Sequence, residues 1–401
     1  MKKQILVTAC SMEVGGIERS TAGLINSIDY EKYDVDLLLF SRKGEFMPLL
    51  TDKCNILPEI SQCATLLKPI SEVIKSGHPI MATSRVFSKI RTKNKFRSSD
   101  FRDDALVFAH LQSMWDNSVM FMPALEKEYD VVMSFMWPHH YVAKKVKGKT
   151  KIAWVHTDYS NAALDNGKDE KVWNKFDYIA AVSDECANAF KKIYPSFSDK
   201  VVTIENVLPT EFVKEQSDEF DPEEMKTQRV KILTAGRFCY AKAYDKAVEI
   251  CKLLVDKGLD INWYALGYGT LESEIKQKVQ ELGLEERFIF LGKKINPYPY
   301  MKSCDIYVQP SRYEGKAVTV REAQMLGKPV VITNFKTAES QVKNGFDAIV
   351  SPMENEAVAK YIQKLIEDEA LRKRLSENSL KTDYSNIEYI DKLFELIEAG
   401  E

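Results

Sequence analysis

Residues 4–40 read QILVTACSMEVGGIERSTAGLINSIDYEKYDVDLLLF and carry the pattern of a parallel α/β sheet. QILVTA (4–9) is a short apolar run, typical of a strand that is buried on both faces. The turn-forming MEVGG (12–16) precedes a predicted helix over 17–27, and a second apolar run follows at 35–40. A strand, a glycine-containing turn, a helix and a second strand in this order predict the start of a doubly wound domain.

Strands and helices continue to alternate along the chain. The first half contains further apolar runs at 131–135, 152–155, 178–182 and 201–204, which we assign to the same sheet. Residues 207–228 are polar and acidic and contain two prolines, so the sequence predicts a linker there. Beyond them the alternation begins again, which predicts a second domain of the same class.

The fold class predicted from this organisation is α/β, with two Rossmann-like doubly wound domains that face a central cleft. The expected segments are an N-terminal domain over 1–206, a linker over 207–228, a C-terminal domain over 229–384, and a C-terminal helix over 385–401 that packs back toward the N-terminal domain. Open parallel sheets bind ligands beyond the carboxyl ends of their strands, so we expect the functional site in the turns that follow the strands.

Composition excludes several classes of protein. The 401 residues include 45% hydrophobic and 29% charged residues, which is ordinary for a globular protein. The seven cysteines are scattered without a CxxC pair, so we expect a reducing compartment and neither a disulfide framework nor a zinc site. The longest uncharged run, 131–143, is too short to cross a bilayer, and the first residues lack the pattern of a signal peptide. We therefore expect a cytoplasmic protein.

A basic segment lies at residues 85–102, where seven Lys or Arg residues accompany a single acid. The apolar residues between them are Val86, Phe87, Ile90, Phe96 and Phe101. Such a segment can lie on an anionic membrane surface, and a solvated helix or loop is the alternative. Nucleic acid is not an expected partner, because no DNA- or RNA-binding motif accompanies these charges.

Two cations follow the predicted strand that opens the second domain. AGRFCYAKAYD (235–245) contains Gly236, Arg237 and Lys242. A guanidinium can bind two phosphate oxygens and an ammonium adds a point charge, so this pair suits a diphosphate. A pair of solvated cations is the alternative.

SRYEGKAVTVREAQMLGKPVV (311–331) contains two glutamates, Glu314 and Glu322, with seven residues between them. We expect Glu314 at the end of a strand and Glu322 inside the following helix, so that both carboxylates face one small ligand. Carboxylates accept hydrogen bonds from sugar hydroxyls, and free N–H groups over 316–318 can bind phosphate. Two solvated helical glutamates are the alternative.

Glycines also follow two of the predicted strands. Gly15 and Gly16 follow the first strand and allow a backbone to approach a ligand closely, although a plain structural turn would look the same. Gly267 and Gly269 form half of a dinucleotide fingerprint, but Glu272 occupies the third glycine position. The incomplete fingerprint disfavours a nicotinamide dehydrogenase.

Taken together, these motifs resemble the retaining glycosyltransferases of glycosyltransferase family 4, which have the GT-B fold of two Rossmann domains. The resemblance extends over nearly the whole chain. Beyond the motifs above, it includes Ala181-Val182-Ser183, Asn206, NPYPYMKSCDIYVQPSRYEG (296–315) and EAQMLGKPVV (322–331).

The resemblance implies a role for each matching residue. Arg237 and Lys242 would neutralise a leaving diphosphate, and Glu314 would bind hydroxyls of the donor sugar. His156, in KIAWVHTDY (151–159), matches the family's active-centre histidine, which hydrogen-bonds the donor sugar. Glu322 would bind the ribose diol, and Lys294 and Ile295 would contact the base. The full set of residues implied to bind the donor is Gly15, Gly16, Gly236, Gly267, Lys294, Ile295, Gly315, Lys316, Ala317, Val318 and Glu322.

The implied function is transfer of a sugar, with retention of configuration, from a nucleotide-diphosphate sugar to a saccharide or lipid-linked saccharide in cell-surface polysaccharide biosynthesis. This is hexosyltransferase chemistry (EC 2.4), with UDP as the first expected nucleotide and GDP as the second. Lys316 and Ala317 replace the aromatic residue or proline of many relatives, which leaves the donor sugar open. A sugar-nucleotide epimerase of the same fold and a non-catalytic subunit are the alternatives.

Two signals for metal are weak. Asp34-Val35-Asp36 matches the DxD of metal-dependent glycosyltransferases but begins a predicted strand, where a strand cap is the simpler interpretation. His139 and His140 are adjacent, and neighbouring side chains on an extended chain point to opposite faces. We therefore expect no metal site and no cofactor, since the nucleotide sugar is a substrate.

Overall fold

The computed structural model of the protein describes residues 2–96, 103–157, 159 and 163–399. The chain divides into two compact units. The first consists of residues 1–13, 17–205 and 388–401, and the second consists of residues 14–16 and 206–387.

The described part of the first unit contains a seven-stranded parallel sheet with the strand order β3-β2-β1-β4-β5-β6-β7. Its strands are β1 (Lys3–Ala9), β2 (Tyr33–Leu39), β3 (Asn55–Ile56), β4 (Glu128–Ser134), β5 (Lys147–Val155), β6 (Tyr178–Ala181) and β7 (Val201–Thr203). Ile5 of β1 pairs with Val35 of β2 on one side and with Val131 of β4 on the other. The strand order therefore reverses at β1, which is the point where open α/β sheets bind ligands.

The helices of this half are α1 (Gly16–Ser27), α2 (Ser61–Ala64), α3 (Ile70–Lys75), α4 (Pro79–Lys95), α5 (Asp103–Ser118), α6 (His140–Lys145), α7 (Asn166–Trp173) and α8 (Asp184–Ile193). The start of α8 shows why the local sequence forms a helix. Ser183 accepts a hydrogen bond from the Cys186 N–H (3.2 Å), and Asp184 and Glu185 lie in the positive first turn.

The second unit has a six-stranded parallel sheet with the strand order β10-β9-β8-β11-β12-β13. Its helices and strands are α9 (Thr210–Ser217), β8 (Val230–Ala235), α10 (Tyr244–Asp256), β9 (Ile261–Leu266), α11 (Glu272–Glu281), β10 (Phe288–Gly292), α12 (Tyr298–Ser303), β11 (Ile306–Gln309), α13 (Val318–Met325), β12 (Val330–Thr333), β13 (Ile349–Ser351), α14 (Asn355–Glu367) and α15 (Glu369–Leu380). The strand order reverses at β8, so β9 and β11 flank the strand that leads into Gly236.

Each sheet face of the second unit is covered by its own apolar core. Leu233 and Tyr307 belong to one core, and their neighbours Ile232 and Ile306 belong to the other. All four side chains are fully buried. Strands buried on both faces must be apolar at successive positions, which is why they appear in the sequence as continuous hydrophobic runs.

The predicted linker over 207–228 is wrong, because this segment belongs to the second unit and contains α9. Leu208, Val213 and Met225 from this segment are buried in one core of that unit. Three apolar side chains, spread among acidic residues, anchor the segment to the core.

The last helix, α16 (Glu388–Ala399), lies in the first unit. There the ring of Phe394 stacks on Tyr33 of β2, with centroids 4.5 Å apart. Within the described part of the chain, no helix is both long enough and apolar enough to cross a membrane.

Candidate functional site

The turns that follow β8 and β9 are in direct contact. The Gly236 N–H donates to the Leu266 carbonyl oxygen (2.9 Å), and the Phe238 N–H donates to that of Tyr268 (2.8 Å). A Cβ atom at Gly267, where φ is +145°, would lie 1.9 Å from the Gly236 carbonyl oxygen. Glycine is therefore required at position 267 because a neighbouring backbone occupies the space of a side chain.

The two predicted cations of the β8 turn have different surroundings. Arg237 is exposed and forms no ion pair with any residue in the described part of the chain. The Lys242 ammonium lies 2.6 Å and 2.8 Å from the two carboxylate oxygens of Glu314. The side chains of Lys242 and Glu314 are only 19% and 8% exposed, so this ion pair is largely removed from water.

The sequence predicted Glu314 at the end of a strand. In the structure β11 ends at Gln309, so Glu314 lies in the loop that follows. Its Oε1 atom accepts hydrogen bonds from Ser311 (2.6 Å) and Gln309 (3.4 Å). The Thr337 hydroxyl donates to the Glu314 carbonyl oxygen at 3.1 Å. Both the backbone and the carboxylate of this residue are therefore held in place.

Arg312 fixes the Glu314 loop to the start of α10. Its guanidinium donates to both carboxylate oxygens of Asp245 (2.9 Å and 2.5 Å) and lies 4.0 Å from the ring centre of Tyr240. Burial disfavours ionisation of Asp245, but the hydrogen bonds from Arg312 outweigh it and lower the pKa of that carboxyl. No local sequence pattern predicts this pair, because Arg312 and Asp245 are far apart along the chain.

The second glutamate is more enclosed than we expected. Glu322 of α13 is 1% exposed, and its Oε1 atom accepts a hydrogen bond from the Tyr298 hydroxyl (2.9 Å). The residues before α13 also have partners. The Ala317 N–H donates to Gln341 Oε1 (2.8 Å), and the Lys316 ammonium donates to the Ser340 carbonyl oxygen (3.2 Å). A ligand at the Ala317 amide would therefore have to replace Gln341, a residue that no sequence motif indicates.

Lys294 and Ile295 follow β10. The Lys294 ammonium donates to Glu224 (2.8 Å) and lies 4.9 Å from the ring centre of Tyr300, while Ile295 is 56% exposed. The Lys294 side chain thus has protein partners. The predicted contact of this segment with the base therefore concerns its backbone groups.

The structure therefore brings part of the predicted set together. Gly236, Arg237, Lys242, Gly267 and Glu314 all follow β9, β8 or β11, which are adjacent parallel strands. Their turns lie at the same edge of the sheet, where this fold class binds ligands.

His156 belongs to the first unit and follows β5 directly. Burial lowers the pKa of His156 to about 4, so the imidazole is neutral at neutral pH. Its Nε2 atom lies 2.7 Å from the Phe135 carbonyl oxygen, which can only accept, so the single ring proton belongs on Nε2. The Nδ1 atom is then a hydrogen-bond acceptor.

The first glycine turn leads into α1, which begins at Gly16. Residues 14–16 group with the second unit, where the Tyr268 hydroxyl donates to the Val14 carbonyl oxygen (3.4 Å). No Cβ contact within 4 Å would hinder a side chain at Gly16. Internal packing therefore does not explain that glycine.

Asp36 and His139, two of the residues considered for metal binding, have other partners. Asp36 is 6% exposed and accepts hydrogen bonds from Asn55 (2.6 Å) and Tyr129 (2.8 Å). His139 lies between Ser134 Oγ (2.8 Å) and the Trp154 carbonyl oxygen (3.1 Å). Across the described ranges, no group of three or more His, Cys, Asp or Glu residues could hold a metal ion.

Comparison with known proteins identifies a matching family and similar sequences. Residues 215–382 match the family described as Glycosyl transferases group 1. An uncharacterized glycosyltransferase of Methanocaldococcus jannaschii is 24% identical over 260 residues, which are 56% of this chain and 64% of that protein. The N-acetylgalactosamine-N,N'-diacetylbacillosaminyl-diphospho-undecaprenol 4-alpha-N-acetylgalactosaminyltransferase of Campylobacter jejuni is 30% identical over 153 residues, 38% of this chain and 41% of that protein. The chain thus spans less than two thirds of the length of these relatives.

Similarity to solved structures extends over both units. Anabaena Alr3699/HepE in complex with UDP-glucose superposes with a TM-score of 0.72 at 16% identity, covering 99% of this chain and 100% of that one. The predicted fold class, GT-B with two Rossmann-like α/β domains, is confirmed.

Proposed function

We propose that the protein is a retaining, metal-independent glycosyltransferase (EC 2.4) that uses a nucleotide-diphosphate sugar, with UDP as the first candidate nucleotide. The observation that carries the proposal is the set of charged residues at one sheet edge, where exposed Arg237 and the Lys242–Glu314 pair follow the adjacent strands β8 and β11. This edge lies within the segment that matches Glycosyl transferases group 1.

The proposed mechanism depends on stabilising the leaving diphosphate. Arg237 is free to bind phosphate oxygens, and Lys242 can share its ammonium between Glu314 and a phosphate. Negative charge grows on the diphosphate as the bond to the sugar breaks, so cations placed beforehand lower the barrier. Removing one such group typically costs about 3 kcal/mol, or about a hundredfold in rate.

The remaining predicted residues would orient the sugar and the nucleoside. Glu314 would accept hydrogen bonds from sugar hydroxyls and Glu322 from the ribose diol. The Nδ1 atom of His156 would accept a hydrogen bond from a sugar hydroxyl, because the ring proton is on Nε2. The backbone of Lys294 and Ile295 would contact the base, and Gly15 and Gly16 would approach the phosphate.

The proposed acceptor is a saccharide or a lipid-linked saccharide used in cell-surface polysaccharide biosynthesis. The match to the Campylobacter jejuni enzyme, whose name specifies a diphospho-undecaprenol substrate, supports a lipid-linked acceptor. Such acceptors reside in a membrane, so we also propose a cytoplasmic enzyme that contacts the inner face of the plasma membrane.

Helix α4 supports membrane contact. With 3.6 residues per turn, its exposed Ile80, Phe87 and Ile90 fall within about 80° of one another around the helix. Exposed Lys93 lies about 60° beyond Ile90 on one side of this stripe, and exposed Arg91 lies about 20° beyond Ile80 on the other. An apolar stripe between cations is the arrangement by which a helix binds an anionic membrane surface.

The predicted basic segment over 85–102 contributes only in part. The Arg85 guanidinium is turned inward and donates to the Thr65 and Lys68 carbonyl oxygens. Lys95 pairs with Asp165 (2.5 Å). Arg97 and Arg102, together with the rest of 97–102, lie outside the described residues.

Vesicle sedimentation tests the contact. We expect binding to phosphatidylglycerol vesicles and none to phosphatidylcholine vesicles at low salt. Replacing Ile80, Phe87 and Ile90 together by serine should abolish it, whereas Phe346→Ser, which changes an exposed apolar residue of the second unit, should not. Equal sedimentation of both variants would contradict the assignment of this surface.

The enzymatic proposal is tested in two steps. A thermal-shift panel of UDP- and GDP-sugars identifies the donor, because a ligand that binds only the native state stabilises it. Transfer to a lipid-linked acceptor is then followed with and without EDTA, which should have no effect. Arg237→Ala should remove transfer and keep the fold, and unchanged turnover would refute the assignment.

The same assay separates the alternatives. A sugar-nucleotide epimerase would consume its substrate without an acceptor. A non-catalytic subunit would neither bind a member of the panel nor transfer a sugar.

A further inference from the structure

Two buried polar residues, Gln309 and Ser311, contact the carboxylate of Glu314 from the protein side. Both are 0% exposed. The Ser311 hydroxyl donates to Glu314 Oε1 at 2.6 Å, and Gln309 Nε2 lies 3.4 Å from the same oxygen. Oε1 is thus bound by groups that belong to the core of the unit.

The direction of these hydrogen bonds is fixed by the neighbours of Gln309. Its Nε2 atom donates to Ser311 Oγ (2.8 Å), and its Oε1 atom accepts from Tyr307 (2.8 Å) and Thr319 (3.3 Å). The reversed amide would place its oxygen against the Glu314 carboxylate, with one acceptor facing another. Donation therefore runs in one direction, from Tyr307 through Gln309 and Ser311 to Glu314.

The two oxygens of Glu314 consequently differ. Oε1 accepts hydrogen bonds from Ser311, from Gln309 and from the Lys242 ammonium (2.6 Å), and these three fill the acceptor capacity of one carboxylate oxygen. Among the residues that the structure describes, only Lys242 donates a hydrogen bond to Oε2 (2.8 Å). The capacity to accept a further hydrogen bond lies on Oε2.

We propose that Gln309 and Ser311 are positioning residues that keep Oε1 turned inward and present Oε2 to a hydroxyl of the donor sugar. This inference rests on the proposed function and adds two residues to it. Because Oε2 would bind the sugar and not the nucleotide, both residues should affect the preference for a sugar nucleotide over the free nucleoside diphosphate.

Titration calorimetry on Ser311→Ala tests the proposal, with the sugar nucleotide that gives the largest thermal shift and with its nucleoside diphosphate. A hydrogen bond to a charged group is at stake, so affinity for the sugar nucleotide should fall by about tenfold or more. Affinity for the nucleoside diphosphate should change by no more than about twofold, within the scatter of neutral surface changes. Ser379→Ala, which removes a buried hydroxyl that donates to the backbone carbonyl oxygen of Asp347, should change neither affinity.

A second comparison separates positioning from a general effect on the fold. In a Glu314→Gln background, Ser311→Ala should cause no further loss of sugar-nucleotide affinity, because its effect passes through the carboxylate. Gln309→Met should behave like Ser311→Ala. Equal losses for both ligands, or losses that simply add in the Glu314→Gln background, would overturn the proposal.

A failure of the proposed function would look different. In that case the wild-type chain would bind no member of the panel. Crystal structures of the wild type and Ser311→Ala would then decide the positioning claim alone. A Glu314 carboxylate that rotates in the variant supports it, and one that keeps its orientation refutes it.

Discussion

Replacing Lys242 by methionine tests the ion pair at the centre of the candidate site. Methionine keeps an unbranched apolar side chain and removes the ammonium, which lies 2.6 Å and 2.8 Å from the Glu314 oxygens. Glu314 is then left with a negative charge on a side chain that is 8% exposed. Its protein donors would be Ser311 and Gln309.

The expected loss of stability follows from this geometry. Removing one partner of a fully buried ion pair costs about 3–5 kcal/mol. Lys242 is 19% exposed and Glu314 keeps two other donors, so we expect a smaller loss of about 2 kcal/mol in the free energy of unfolding of the second unit. For a unit of this size, that loss lowers the melting temperature by about 4–8 °C.

Urea denaturation of four proteins measures the effect: the wild type, Lys242→Met, Glu314→Gln and the double variant. The double variant removes both charges, so its loss of stability should be about 1–2 kcal/mol smaller than the sum of the two single losses. Strict additivity, or a Lys242→Met variant as stable as the wild type, would refute the view that these two groups stabilise each other.

Three further predictions concern stability. Burial lowers the pKa of His139 and of His140 to about 3, from 6.5 in the unfolded chain, so the unfolded state binds more protons as the pH falls below 6.5. These histidines therefore do not reduce stability above pH 6.5. The free energy of unfolding should fall by about 2 kcal/mol per histidine at pH 5, which urea titrations at two pH values can measure. Gly267→Ala should cost at least about 2 kcal/mol because its Cβ would meet a backbone oxygen, whereas Gly258→Ala, with φ +80° and open space, should cost only about 1 kcal/mol by the same assay. Arg312→Lys should destabilise the second unit by about 1 kcal/mol, since lysine cannot bind both oxygens of its partner in α10, and no loss in thermal denaturation would contradict that role.

The sequence predicted the fold because the chemistry of the strands is local. QILVTA (4–9) lies in β1, the strand at which the order of the sheet reverses, and the alternation of apolar runs with helices predicts a parallel sheet. The sequence also placed Arg237, Lys242 and Glu314 at or just after the ends of strands, which the sheet brings to one edge.

Features that depend on tertiary packing escaped prediction. The acidic composition of 207–228 concealed the apolar side chains that anchor it, because the average composition of a segment does not show which of its positions are buried. Gln341 at the Ala317 amide and Asp245 at Arg312 come from distant segments, so no local pattern connects them. Ser311 lies within the quoted motif, yet its role depends on which oxygen of Glu314 it contacts.

The Lys242–Glu314 pair has a kinetic consequence for the proposed enzyme. A cation that is already neutralised by its neighbour exerts little force on a distant anion, so long-range attraction of a diphosphate falls to exposed Arg237. Added salt should then slow capture only modestly. Lys242 would act after arrival, when its carboxylate partner engages the sugar, and would slow the escape of the bound nucleotide.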